Sequence, residues 1–131
     1  MRRAILTLAL SALAGCATPT MYHWGAYDDT LYRYYKTPAE REAFVASLKT
    51  IVLEAEQEGR RVPPGVHAEY GFALYEEGLF DQAIVYFQKE RDQWPESRVL
   101  MEKMIRNAQQ AKQKAPPTPP AQGPAGALEK R

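Results

Sequence analysis

The chain contains a single cysteine, Cys16, and its neighbours suit a reaction at the thiol. Ala14 and Gly15 come directly before it, and their small side chains leave the backbone open to an enzyme. A thiol is a soft nucleophile that can accept a lipid, and a lone cysteine has no disulfide partner within its own chain. This arrangement favours covalent modification of Cys16, with a buried structural cysteine as the alternative.

The residues before Cys16 have the three parts of a secretion signal. Arg2 and Arg3 supply positive charge, residues 4–14 are mostly apolar, and small residues follow. The apolar run is much shorter than the roughly 20 residues that span a bilayer. The quartet LAGC at residues 13–16 resembles the lipobox of bacterial lipoproteins.

This resemblance implies a processing route. The signal, residues 1–15, would be cut before Cys16, whose thiol would carry a diacylglycerol and whose new amino group would carry a further acyl chain such as palmitate. Two or more acyl chains, at about 0.8 kcal/mol per buried methylene, hold a protein stably on a membrane. Ala17 replaces the aspartate that commonly retains such proteins in the inner membrane, which favours the periplasmic face of the outer membrane.

The other reactive side chains do not form a catalytic pattern. His23 and His67 have neither a histidine four residues away nor a cysteine close to them, so no metal site is predicted. Asp28 and Asp29 follow a glycine and could hold a cation, but solvated carboxylates are the favoured interpretation. The sequence predicts no enzyme, no small-molecule substrate and no cofactor other than the lipid on Cys16.

The charge balance argues against nucleic acid as a partner. The full chain has 17 Lys and Arg residues and 16 Asp and Glu residues. Removing residues 1–15 takes away two arginines and leaves a charge of about −1. A near-neutral chain with mixed signs gains little from a polyanion.

Residues 37–113 have the periodicity of an all-α domain. Thr37 is the expected N-cap of a first helix, Pro38 its first residue and Gly59 its end. A second helix is predicted over 66–76, a third from Asp81 to Trp94, and a fourth from about Ser97 to Gln113. The first of these helices repeats apolar residues at helical spacing: Phe44, Leu48, Ile51, Val52 and Ala55.

The second and third helices resemble a tetratricopeptide repeat of about 34 residues that begins at Pro64. The match rests on small residues where two antiparallel helices cross, a turn glycine, a large apolar residue and a closing proline: Gly71, Ala83, Gly78, Phe87 and Pro95. His67, Tyr70 and Glu90 depart from the usual residues. We therefore expect a short right-handed stack of about four helices with one tetratricopeptide-like hairpin.

Residues 16–36 are predicted to form a lipidated, aromatic-rich tether. Its aromatic candidates for partner binding are Tyr22, Trp24, Tyr27, Tyr32, Tyr34 and Tyr35. Three interpretations stay open: the rings cover an open edge of the helical stack, they lie at the lipid headgroups, or they anchor a partner protein.

The C-terminal residues 114–131 contain five of the ten prolines and almost no large apolar side chain. Such a composition cannot bury enough surface to fold, so a disordered tail with polyproline II character is expected.

Residues 13–110, with the lipobox, the run YHWGAYDDTLYRYYKTP and one repeat-like hairpin, resemble an uncharacterised family of small bacterial lipoproteins. Members are often encoded beside lipoproteins similar to the curli-secretion channel. The resemblance implies an envelope partner and no catalytic residues. The expected function is a protein-binding adaptor in a cell-envelope assembly; a structural subunit beside a curli-secretion-like lipoprotein and a regulator of a cell-wall synthase are the alternatives.

Overall fold

The computed structural model describes residues 21–115, whose regular elements are all helices; this part of the chain contains no strand. The predicted all-α class is therefore confirmed for this part of the chain. Cys16, the signal and residues 116–131 of the expected tail lie outside the described residues. Five α-helices follow one another: α1 Tyr27–Lys36, α2 Arg41–Gln57, α3 Val66–Glu76, α4 Phe80–Gln93 and α5 Arg98–Lys114.

Helix α1 corrects the sequence analysis, which placed residues 27–36 in a tether and expected about four helices. Asp28 and Asp29 lie in its first turn, and basic residues lie in its last turn, so both ends complement the helix dipole. Asp29 also forms an ion pair with Arg33, four residues later, at 2.8 Å. The many aromatic residues of this segment led to its interpretation as a tether, although it forms a helix whose buried side is centred on Thr30.

Helix α2 begins later than predicted, because the residues around its expected start form a 310 turn, Pro38–Glu40. Thr37 stands before this turn, but its side chain makes no capping hydrogen bond. The end of α2 matches the expectation: Gly59 has a φ of +64°, and the Arg60 amide donates to the Ala55 carbonyl at 2.9 Å.

Helices α3 and α4 form a tight hairpin. Gly78 has a φ of +76°, which suits the turn, and the Leu79 amide donates to the Leu74 carbonyl at 2.9 Å. Helix α4 begins at Phe80, one residue before the predicted cap, so Asp81 lies in its first turn. There Asp81 pairs with Lys112 of α5 at 2.6 Å.

A second 310 turn, Pro95–Ser97, connects α4 to α5. Helix α1 packs on α2, α2 on α3, α3 on α4 and α4 on α5, so the helices stack in chain order. One continuous core runs through the stack, and its fully buried members include Leu48, Ile51, Val66, Ala83, Phe87 and Met101. The apolar stripe predicted for the first long helix is buried in full.

Candidate protein-binding groove

An open groove of about 370 Å³ lies between α2 and α5. Helix α2 packs on α3, and α5 packs on α4, so the central hairpin separates the two long helices and forms the floor between them. Small side chains of α3, Ala68 and Ala73, lie along this floor. The apolar walls are formed by Tyr34, Phe44, Val45, Leu48, Phe72, Leu100, Met101 and Met104.

Large apolar side chains stay exposed in this groove. Phe72 of α3 is 46% exposed and Leu100 of α5 is 57% exposed, although both line the cavity. Such surface is costly to leave in water, at about 25 cal/mol per Å² of apolar area. The groove is therefore suited to bind an apolar group.

The charged residues at the rim of the groove form ion pairs with one another. The Arg41 guanidinium binds the carboxylate of Glu76 at 2.8 Å and that of Glu77 at 3.6 Å. These two carboxylates raise the pKa of Arg41, with the hydrogen bond to Glu76 as the largest cause. Glu76 and Glu77, at the end of α3, thus neutralise the Arg41 cation. Arg41 is therefore not directed at an anionic ligand.

Glu69 lies deeper in the groove. The Tyr27 hydroxyl donates to Glu69 Oε1 at 2.8 Å, whereas Oε2 is buried and has no hydrogen-bond partner among residues 21–115. Burial raises the pKa of Glu69, and burial beside this carboxylate raises the pKa of Tyr27. The pair fixes α1 to α3 and leaves one acceptor oxygen without a donor.

The six aromatic candidates do not form one site. Tyr22, Trp24 and Tyr27 follow one another as a chain of ring contacts, with centroids 6.4 Å and 5.3 Å apart. This chain reaches Phe44 of α2 from Tyr27 at 6.0 Å, and Tyr34 stacks on the same Phe44 at 5.5 Å.

Two aromatic candidates lie apart from these ring contacts. Tyr32 is 61% exposed and Tyr35 is 79% exposed, on the outer side of α1. Of the six candidates, only Tyr34 lines the groove.

The segment before α1 is fixed to the stack by His23. Its Nε2 lies 2.6 Å from Glu54 Oε2, and its Nδ1 lies 3.1 Å from the Arg60 guanidinium. Because arginine can only donate, Nδ1 accepts and Nε2 donates to the carboxylate. His23 therefore joins the N-terminal segment to the end of α2.

Four residues of the repeat-like pattern lie at the crossing of α3 and α4 or in the turn after α4: Gly71, Ala83, Phe87 and Pro95. A Cβ atom on Gly71 would lie 2.9 Å from the Phe87 ring, so α3 and α4 can approach this closely only through a glycine. Ala83 and Phe87 are fully buried, and Pro95 begins the turn after α4. The relation to tetratricopeptide repeats stays a prediction.

Glu90 shows why the sequence departs from the repeat at one position. Its side chain is fully buried, and Oε1 accepts from the Gly65 amide at 2.8 Å and the Ser97 hydroxyl at 3.2 Å. Burial raises the pKa of Glu90, whereas the hydrogen bonds oppose that rise. A carboxylate from α4 thus supplies the hydrogen-bond acceptor that the N-terminus of α3 requires.

The sequence analysis did not single out Phe72 of α3 or Leu100 of α5. In the groove they lie beside Met101 and Met104 of α5, and both stay largely exposed. A usable signal was present in α3, where Phe72 lies outside the stripe of buried residues that includes Tyr70, Ala73 and Leu74.

Residues 21–115 contain no cluster of histidine, cysteine or acidic residues that could hold a metal ion. In the same range, no helix has the length and apolar character needed to cross a membrane.

Comparison with known proteins assigns the chain to a family. Residues 21–104 match the model of a domain of unknown function, DUF4810, and the chain belongs to this family. The match includes α1 and ends within α5, so it covers the helices that form the groove. No curated protein and no solved structure matches the chain.

Proposed function

We propose that this protein is a lipid-anchored adaptor of the outer membrane that holds an apolar segment of an envelope protein in the groove between α2 and α5. The observation that carries this proposal is the groove itself, whose walls are apolar and whose Phe72 and Leu100 side chains are exposed. Exposed apolar surface that is rimmed by charge is typical of protein interaction sites.

The shape of the groove favours an amphipathic segment of the partner. Two long helices form its walls, and the small residues Ala68 and Ala73 allow a close approach to the floor. Amphipathic helices bind such grooves through apolar anchors spaced three or four residues apart. A cavity of about 370 Å³ accommodates one or two large anchors of this kind.

The hairpin supports the interpretation of the fold as tetratricopeptide-like. Gly71 faces Phe87 across the crossing of α3 and α4, and Gly78 forms the turn between them. Helical repeats of this type bind partners on the surfaces that their stacked helices create. The proposal needs no catalytic residue, cofactor or small-molecule substrate.

The membrane anchor is proposed from the sequence alone. The quartet LAGC and the charged and apolar residues before it support lipidation of Cys16. Cys16→Ser should abolish the incorporation of labelled palmitate in cells. Labelling of this variant at the native level would contradict the anchor.

Photo-crosslinking in cells tests the groove. A crosslinking amino acid at Phe72 or Leu100 should capture the same envelope protein, identified by mass spectrometry, and Phe72→Lys should abolish capture from position 100. Leu53 provides the matched control, because it is 44% exposed on α2 but does not line the groove. Leu53→Lys should leave capture unchanged. Equal loss in both lysine variants would contradict the groove as the binding site.

A second candidate function is a structural subunit packed beside a related envelope lipoprotein. Tyr32 and Tyr35 favour it, because they are exposed on the outer side of α1 and away from the groove. Replacing both by serine should reduce capture from α1 without affecting capture from position 100. The hypothesis of a cell-wall synthase regulator stays a prediction.

A further inference from the structure

The described chain begins at Met21, and the contacts of the next residues fix its position on the domain. Cys16 precedes Met21 by five residues, which span at most about 18 Å when fully extended. The contacts that fix residues 22–25 therefore determine which end of the domain the lipid anchor holds against the membrane.

Three contacts hold this segment on one end of the helical stack. His23 bridges Glu54 and Arg60 at the end of α2. Tyr22 contacts Trp94, just after α4, with ring centroids 5.7 Å apart. The α-carbon of Gly25 packs so closely on the α2 side chains that an added Cβ would lie 3.1 Å from Ile51.

The same end exposes side chains that suit a phospholipid surface. Met21 is 70% exposed and Trp24 is 39% exposed, and tryptophan prefers the interfacial region of a bilayer. Arg60 and Arg61 are also exposed at this end.

Of the two arginines that follow α2, Arg61 is the one without an ion-pair partner among residues 21–115. Arg60 pairs with Glu58. The Arg61 guanidinium stacks over the Trp94 ring at 4.3 Å and donates to the Gln93 carbonyl at 2.8 Å. It keeps further N–H donors for a phosphate oxygen.

We propose that the end of the domain formed by Met21, Tyr22, Trp24, Arg60 and Arg61, the membrane-facing end, lies on the phospholipid surface, with Trp24 among the headgroups. This inference rests on the proposed lipid anchor and specifies how the domain is oriented on it. Arg41, at the far end of the groove, is 13 residues from Glu54 along α2, or about 20 Å. Ala68 and Leu100, in the first turns of α3 and α5, line the part of the groove nearest the membrane-facing end. The Arg41 end of the groove thus lies away from the membrane, where a periplasmic segment can enter it.

Tryptophan quenching on vesicles tests this orientation without relying on cellular lipidation. The chain from Cys16 to Arg131 has one thiol, which can be coupled to a maleimide-bearing lipid in vesicles of phosphatidylethanolamine and phosphatidylglycerol. Some of the lipid is brominated at the headgroup end of its acyl chains and quenches nearby tryptophans. The emission of Trp24 is obtained as the difference between the native chain and Trp24→Phe.

On brominated vesicles, the Trp24 emission should fall by about twofold or more, as expected for an interfacial ring. Trp94, which is 8% exposed, should keep its emission in Trp24→Phe. A double variant, Trp24→Phe with Tyr35→Trp, places a matched reporter at the far end of α1, about 12 Å along the helix from Tyr27. This reporter should not be quenched.

Two results would overturn the proposed orientation. Unquenched Trp24 on coupled vesicles would mean that the domain is held away from the surface. A quenched tryptophan at position 35 would mean that the outer side of α1 faces the lipid instead. Failure of the proposed lipid anchor is detected separately, because the native chain would then take up no labelled palmitate in cells. The vesicle experiment would still report the orientation, since its coupling does not depend on cellular lipidation.

Discussion

His67 should make the stability of the fold depend on pH. Its side chain is 4% exposed, and neither ring nitrogen has a hydrogen-bond partner among residues 21–115. Burial, with a smaller contribution from the Lys89 cation, lowers the pKa of His67 from 6.5 to about 4. The neutral ring is therefore the form that the folded state accommodates.

The sign and magnitude follow from linkage. Between pH 6.5 and about 4, the unfolded chain binds a proton at His67 that the folded chain does not bind. The contribution of His67 is fully present above pH 6.5 and is lost as the pH falls towards 4. For these two pKa values, the free energy of unfolding should fall by about 2 kcal/mol between pH 7 and pH 5 from this residue alone.

Urea denaturation of the native chain and of His67→Leu, at pH 5, 6 and 7, measures this contribution. Burial raises the pKa of Glu69 and of Glu90, so these groups change stability in the opposite direction. They act in both proteins, and the difference between the two proteins isolates His67. The variant should lose about 2 kcal/mol less than the native chain on going from pH 7 to pH 5. Equal losses would refute the reasoning.

Three further predictions concern packing and burial. Gly71→Ala should destabilise the fold by about 1–2 kcal/mol in urea titrations, because overpacking against Phe87 outweighs the gain in helix propensity. Most of this cost should vanish in a Phe87→Leu background. Tyr34→Ala should lower the free energy of unfolding by about 2–4 kcal/mol and Tyr35→Ala by less than about 0.5 kcal/mol, so similar losses would contradict the described packing of α1. The stability contributed by Glu90 should fall as the pH rises above its usual pKa of 4.5, and Glu90→Gln should flatten that fall in denaturation midpoints measured from pH 5 to 8.

Much of the fold could be read from the sequence, because its signals are local. The stripe along α2 and the glycine after it predicted a helix with one buried side, and this helix is present. Gly71 and Gly78 predicted a close helix crossing and a tight turn, which depend on residues near each other in the chain. The predicted start of α2 at Pro38 was wrong by three residues, because proline permits both a 310 turn and the first turn of an α-helix.

The site depended on contacts between distant residues. The sequence grouped six aromatic residues as one set, yet the structure packs a half-buried Tyr34 on Phe44 and leaves Tyr35 in solvent. Both residues lie on α1, and only its packing on α2 decides between them. The local sequence indicates that Phe72 lies outside the buried stripe of α3, but not that Phe72 and Leu100 line the same groove.

Local sequence patterns were enough to predict a helical fold, the positions of its long helices and its hairpin turn. The anchor at Cys16 stays a prediction of the lipobox-like quartet. Periodicity, glycine conformations and short motifs carry this information, because each acts within a few residues. The packing of α1 on α2, the burial of Glu90 at the start of α3 and the open groove between α2 and α5 became visible only in three dimensions. These features arise from contacts between residues in different helices and loops, such as the hydrogen bond from the Gly65 amide to Glu90, 25 residues later, which no local pattern specifies.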